Sequence, residues 1–286
     1  MRKRRLFLAS LLTLVMGQMM SAQGNYTFTT VDVPGATSTQ VRDINKFDVS
    51  VGTYVDANTG LARGFRLSAG GPFTRIDFPG ASQTYPRSLN VNGHIDGFFT
   101  DSAGVFHGFF LNGGRFQELD FPGAADTQPR SLNDQDQIAG DYVDVSLINH
   151  GFTLINGTYT SFDFPGAFFT LCTGINNLGV LVGVYSLDNV VSQSYVLRNG
   201  TFKSFAVHGS SDTEILGLNN KGDAVGFYAD GSGTLHGFLL SGGKFRHFDV
   251  PGSIGGVARG INDAGVIVGN YTDTSFIQHG YVATPQ

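Results

Sequence analysis

Residues 122–164 read PGAADTQPRSLNDQDQIAGDYVDVSLINHGFTLINGTYTSFDF, and this stretch decides the fold. Pro122-Gly123-Ala124 is a turn, because proline presets φ and glycine accepts positive φ. Thr127 to Asn133 predicts a short strand, and Asn133-Asp134-Gln135-Asp136 a turn of side chains that bond their own backbone. Gln137 to Asp144 alternates as a second strand through Gly140, and a third runs from His150 through Phe152 and Leu154. Asn156-Gly157 is a hairpin signal, followed by a fourth strand over Thr158 to Phe164. Four short strands with tight turns and no helical period predict a four-stranded antiparallel meander.

The unit occurs six times. An Ile/Leu-Asn step recurs at Asn45, Asn90, Asn133, Asn176, Asn219 and Asn262, spaced 45, 43, 43, 43 and 43 residues. Seven residues after each Asn stands a glycine: Gly52, Gly97, Gly140, Gly183, Gly226 and Gly269. The third strand opens with His-Gly-aromatic at His107, His150, His236 and His279, with Arg63 and Gln193 in that place in the other copies. The Pro-Gly turn at Pro34, Pro79, Pro122, Pro165 and Pro251 becomes Val207-His208-Gly209 in the fifth copy. A repeated unit of this size cannot bury both faces alone, and stacking copies as propeller blades solves the problem. The sixth copy stops one strand short after His279-Gly280-Tyr281-Val282, while Tyr26 to Val33 carries the fourth-strand pattern. An N-terminal strand completing the last blade would close the ring and remove an exposed edge. The expectation is an all-β, six-bladed β-propeller; the alternative, an open β-solenoid, has no need of the split copy.

The ends and the composition bound the setting. Arg2, Lys3, Arg4 and Arg5 precede an apolar run from Leu6 to Met16 and the small pair Ser21-Ala22. This pattern predicts a signal peptide over residues 1–22, with 23–286 as one propeller domain. Arg4-Arg5 also fits a twin-arginine signal, so the export route stays open. Removing four basic groups takes the formal charge from −5 to about −9. An acidic chain with no basic cluster is a poor binder of nucleic acid, and no later segment is apolar enough to span a membrane. Cys172 is the only cysteine, so an exported chain must be held by its core and sheet hydrogen bonds. A secreted or periplasmic monomer is expected.

Two charged columns follow the period. Asp32, Asp77, Asp120, Asp163 and Asp249 stand in the fourth strand, with Ala206 in the fifth copy. Ten residues after each come Arg42, Arg87, Arg130, Thr173, Arg259 and, in the fifth copy, Leu216. The columns co-occur, so inter-blade pairs of Asp32, Asp77, Asp120 and Asp249 with Arg42, Arg87, Arg130 and Arg259 are expected to lock the crossovers. The competing expectation is that the four arginines hold an anion at the channel mouth. The histidines lie one per blade, too far apart for shared ligation, so no metal site is expected. Asp56-Ala57-Asn58-Thr59-Gly60 resembles the start of a calcium loop but lacks its later acidic ligand, and is expected to be a turn. No catalytic set emerges: there is no nucleophile elbow and no phosphate-cradling loop, and the two glutamates, Glu118 and Glu214, are not marked by a distinctive loop. No cofactor is implied.

Ile261-Asn262-Asp263-Ala264-Gly265-Val266-Ile267-Val268-Gly269, with His279-Gly280-Tyr281 following, resembles the bacterial extracellular HAF-repeat family. That family has Ala where His107-Gly108-Phe109 and His236-Gly237-Phe238 have Gly. The resemblance implies an exported repeat protein and brings no catalytic residues with it. The function expected is a binding or interaction scaffold, its partner an extracellular or cell-envelope polymer or protein. A propeller lyase or hydrolase with its site at the channel mouth is one alternative, and a purely structural envelope protein another. Any asymmetric site is expected where the repeat breaks, around Val207 to Leu216 and in the fourth copy.

Overall fold

The computed structural model describes residues 25–286, so the predicted signal peptide lies outside the described residues. Six four-stranded antiparallel sheets form six blades in a ring, a β-propeller. Within a blade the strands follow chain order from the channel outward. Blade 3, for instance, runs Asp126–Leu132, Ile138–Val143, Asn149–Ile155 and Thr158–Phe162. The innermost strands of the six blades are Ala36–Ile44, Gln83–Leu89, Asp126–Leu132, Phe169–Ile175, Asp212–Leu218 and Gly255–Ile261. Blade 6 takes its outermost strand from the other terminus: Tyr26–Val31 pairs antiparallel with Gln278–Pro285, which closes the ring as the split copy predicts. Asn156 and Gly157 both adopt positive φ, 51° and 77°, the geometry that lets a two-residue hairpin follow strand twist. Among the described residues no helix is long and apolar enough to cross a membrane.

The Asn that marks the period does structural work at every blade. Its side-chain oxygen accepts from the backbone N–H groups two and four residues on, as Asn176 does from Leu178 and Val180 at 3.0 Å each, which shapes the turn. Its amide nitrogen then donates to the carbonyl of the equivalent Asn in the next blade. These bonds run Asn45 to Asn90, Asn90 to Asn133, Asn133 to Asn176, Asn176 to Asn219 and Asn219 to Asn262, at 3.1–3.2 Å. Asn262 donates to Asn45 at 3.1 Å, so the circuit is closed. All six are buried. Only Asn or Gln offers an acceptor and a donor on one amide, and Asn is the short one that reaches its own turn.

The crossovers are tied by threonine. Val33, Phe78, Phe121, Phe164 and Val207 each donate a backbone N–H to the hydroxyl six residues on, of Thr39, Thr84, Thr127, Thr170 and Thr213 respectively, at 3.0–3.1 Å. This bond joins the exit of one blade to the innermost strand of the next. Aromatic pairs stack across the same seams, with Phe121 on Tyr142 and Phe164 on Tyr185 at 3.7 and 3.6 Å between centroids. The core lies between blades: Phe65, Phe109, Phe152, Phe238, Tyr195 and Tyr281 are its largest fully buried side chains.

The second-strand glycine is required by the close approach of the innermost strand's carbonyl and, in blades 1, 2, 4 and 6, of that aromatic column. A Cβ on Gly52 would stand 2.1 Å from the Gln40 carbonyl oxygen and 2.5 Å from the Phe65 ring. The third-strand glycine has a different neighbour: a Cβ on Gly108 would meet the Leu119 carbonyl at 2.4 Å and the Pro129 ring of the next blade at 2.7 Å. Pro129 itself is tolerated because innermost strands have a free edge toward the channel. Replacing Gly52 by Ala should therefore destabilise the protein by about 1–3 kcal/mol through overpacking. Urea unfolding checks this, and an unchanged midpoint would show that the aromatic column does not require glycine.

Candidate functional site

Each innermost strand carries a β-bulge at the same place in all six blades, and Ala36–Ile44 carries a second one between Ala36 and Ser38. The register skips a residue between Val41 and Asp43, Pro86 and Ser88, Pro129 and Ser131, Cys172 and Gly174, Ile215 and Gly217, and Ala258 and Gly260. The bulged residues are Arg42, Arg87, Arg130, Thr173, Leu216 and Arg259. A bulge re-aims its side chain out of the sheet's alternation, here into the channel. Each bulge stands three residues before the interlocked Asn, so the Asn circuit sets the height of the six side chains.

The four arginines lie on consecutive blades 6, 1, 2 and 3, and Thr173 and Leu216 complete the ring on blades 4 and 5. All six bulged residues line both cavities of the channel. Toward the Asn turns the rim is polar, with Lys46, Asp134, Asn177, Asn220 and Asp263. Toward the blade crossovers the same six residues join Glu214 and Phe227 around a cavity of about 260 Å³. The turns on this face expose apolar side chains, among them Val145, Leu147, Val190 and Phe276.

What backs each bulged residue lies eleven positions on, in the second strand of its own blade. Arg130 pairs through Nε and Nη2 with the buried Asp141 carboxylate, and Nη2 also donates to Gln128 Oε1 at 3.2 Å. Arg259 Nε donates to Asn270 Oδ1 at 2.6 Å. Arg87 has only the face of Phe98, 4.7 Å from its guanidinium carbon. Arg42 donates to Gln40 Oε1, and Thr53 stands in the backing position with no hydrogen bond from its buried hydroxyl. Among the described residues the buried Nε groups of Arg42 and Arg87 have no hydrogen-bond partner.

The electrostatics are correspondingly unfavourable. Burial, followed by repulsion from Arg259, Arg87 and Arg130, holds the Arg42 guanidinium well below its usual range. Burial and the neighbouring arginines push Arg87 down to about 9. Burial likewise takes Arg259 to about 10. Arg130 alone is raised, because Asp141 outweighs its desolvation. Behind the arc, burial lifts the carboxyls of Asp43 and Asp96 to about 7, against the hydrogen bonds each accepts. Burial also raises Glu214, opposed by Arg130 and Arg259. The arc is thus short of negative charge: four guanidiniums face into one cavity, and one of them has a carboxylate partner.

The expected inter-blade pairs do not form. Asp32, Asp120 and Asp249 bond instead to His279, His107 and His236 within their own blades, at 3.0, 2.9 and 2.8 Å. Asp77 pairs with Arg75 two residues away. The reason is topological: a fourth-strand Asp sits at the outer rim, whereas the bulged Arg ten residues later has crossed to the channel. The telling offset is thirteen. His107 and Asp120, His150 and Asp163, and His236 and Asp249 occur together, and where His becomes Gln193 the Asp becomes Ala206. The second ring nitrogen faces the second-strand turn aspartate, as His236 Nε2 does Asp230 at 3.3 Å. In blade 2, Glu118 stands beside this pair, bringing ligand atoms of His107, Glu118 and Asp120 within 4.8 Å of one another. Asp56 caps its own turn, accepting from Asn58 and Thr59 as predicted. Glu214, unmarked in the sequence, is the residue that reasoning from motifs passed over; its one signal is that Gln40, Tyr85, Gln128, Leu171 and Val257 fill its place elsewhere.

Burial lowers the imidazolium affinity of His107, His236 and His279, but the aspartates on both sides more than offset it, so all three are raised. A histidine raised in the folded state stabilises fully below its unfolded value near 6.5, and that contribution is lost as pH rises through the folded value. The stability advantage of the wild type over a triple variant with His107→Gln, His236→Gln and His279→Gln should shrink as pH rises from about 6.5 into the alkaline range. Thermal melts across that range check it; a gap that widens with pH would contradict the Asp–His–Asp arrangement.

No protein-family profile matches the chain, and no curated protein is similar to it. Solved structures share the fold. The fungal lectin of Aleuria aurantia, described as a six-bladed β-propeller with a fucose recognition mode, is 12% identical over 90% of this chain and 91% of its own, with a TM-score of 0.50. AofleA from Arthrobotrys oligospora is 10% identical over 92% of this chain and 88% of its own, with a TM-score of 0.54. TolB from Acinetobacter baumannii is 13% identical over 87% of this chain and 54% of its own, at 0.53. At such identities the likeness shows the propeller and nothing of its ligand.

Proposed function

We propose that this propeller is an exported binding scaffold whose channel holds an anionic group of its ligand, a carboxylate, sulfate or phosphate, against the arginine arc. The observation that carries the reading is the convergence of four guanidiniums from consecutive blades on one cavity with a carboxylate partner at Arg130 alone. Among the described residues the buried Nε groups of Arg42 and Arg87 have no partner, as is also true of Arg63 and Arg66 outside the channel. A protein gains nothing in stability from clustering guanidiniums, and an anion bridging them would relieve the repulsion while taking up the free donors. Export rests on the basic run Arg2–Arg5 ahead of the apolar run Leu6–Met16. The Ile-Asn and His-Gly-aromatic steps support a place among bacterial extracellular HAF-repeat proteins, with an extracellular or cell-envelope polymer or protein as partner.

Calorimetric titration with sulfate at low ionic strength tests the reading. Wild-type protein should bind, and Arg87→Gln should weaken binding by about tenfold or more. The same substitution should change the unfolding free energy by no more than about 1 kcal/mol, because relief of like-charge repulsion offsets the lost contact with the Phe98 face. Equal affinity of the two proteins for sulfate would remove the arc as the binding site.

A further inference from the structure

We propose that the ligand of the channel is a sugar acid, with Glu214 as the specificity-determining residue that receives its hydroxyl groups. The inference rests on the anion-site reading and adds the other end of the ligand. Glu214 belongs to blade 5, across the ring from Arg87 in blade 2, and lines the same cavity as all four arginines. Among the described residues its carboxylate makes no hydrogen bond and no ion pair. A site for a bare anion is weakened by such a group, and a structural ion pair would have brought it onto an arginine. An unpaired carboxyl facing the arc is instead placed to bond donors on a ligand whose anionic end lies on the opposite wall.

The nature of those donors follows from charge and surface. Four guanidiniums outnumber Asp141 and Glu214, so the cavity stays cationic and disfavours an ammonium group. Neutral hydroxyls remain. Beside Glu214 on the same blade lie Leu216 and Phe227, the latter its cross-strand partner, an apolar surface suited to the C–H face of a ring. About 260 Å³ is room for one six-membered ring with its substituents, so a polymer would enter by its end. A carboxylate, several hydroxyls and an apolar ring face together describe a uronic acid, free or as the terminal residue of an acidic polysaccharide.

The test titrates wild type, Glu214→Gln and Arg87→Gln with galacturonate, glucuronate, galactose, glucose, sulfate and a short oligogalacturonide. Wild type should bind at least one uronate about tenfold more tightly than its neutral sugar and than sulfate. Glu214→Gln should lose about tenfold for that uronate while binding sulfate as tightly or more tightly, which also reports that the variant is folded. Tighter binding of the oligomer than of the monomer would identify a polysaccharide end as the source, and equal binding the free acid; either supports the class. Uronates no tighter than sulfate, or a Glu214→Gln variant that strengthens both alike, would overturn this inference and leave the anion site standing. If wild type binds neither sulfate nor uronate, the anion site itself fails.

Discussion

The closed circuit of asparagine hydrogen bonds is the constraint on which the rest of the structure depends. Each buried Asn amide accepts two bonds within its own turn and donates one to the next blade, and Asn90, Asn133, Asn219 and Asn262 donate a further one to a neighbouring side chain. A bond of this kind contributes about 1 kcal/mol net, but leaving its buried partner unsatisfied costs roughly 1–3 kcal/mol. Blades therefore cannot slide or tilt individually without orphaning a carbonyl at the neighbour. The circuit also explains why the period is so strict: a residue inserted between the bulge and the Asn would move one side chain off the common level. The threonine bonds at the crossovers and the aromatic pairs across the seams then fix the outer part of each wedge.

That rigid frame lets the channel hold an arrangement that is poor for stability. Four guanidiniums on neighbouring blades repel one another, and the residues behind them grade from full neutralisation at Asp141, through a neutral hydrogen bond at Asn270, to a bare aromatic face at Phe98. The scaffold repeats sixfold while the site does not. Thr173 on blade 4 bonds the Ile215 carbonyl at 2.6 Å and so serves the seam, and Leu216 presents no polar atom from its side chain. The two blades that lack arginine therefore form the neutral wall, and Glu214 stands on it.

The architecture was legible because a repeat exposes the same physical need six times. Strand count, the Asn156-Gly157 hairpin and the completion of blade 6 by Tyr26–Val31 all follow from patterns that the period aligns. Place in the fold was harder to read. Asp120 and Arg130 are ten residues apart and co-occur, yet a crossover separates rim from channel between them, and His107 is the true partner because antiparallel neighbours of one blade return to the same edge. The channel direction of Arg42 was expected only as the competing reading, because strand alternation alone does not reveal a bulge. Glu214 carries no motif, and only its convergence with residues from four other blades makes it chemically significant. The expectation that asymmetry would lie near Val207 to Leu216 did point to this region, through the loss of repeat features and not through any gain.

The most direct measurement of the central claim is the unfolding free energy of Asn176→Asp. This change keeps the oxygen that accepts from Leu178 and Val180, and replaces the donor that faces the Asn219 carbonyl by an anionic oxygen. Loss of at least about 2 kcal/mol at neutral pH, partly recovered in acid as the carboxyl regains a proton to donate, is the predicted result. A loss within about 0.5 kcal/mol at neutral pH would contradict the account, because the blades would then be held in register without the asparagine circuit.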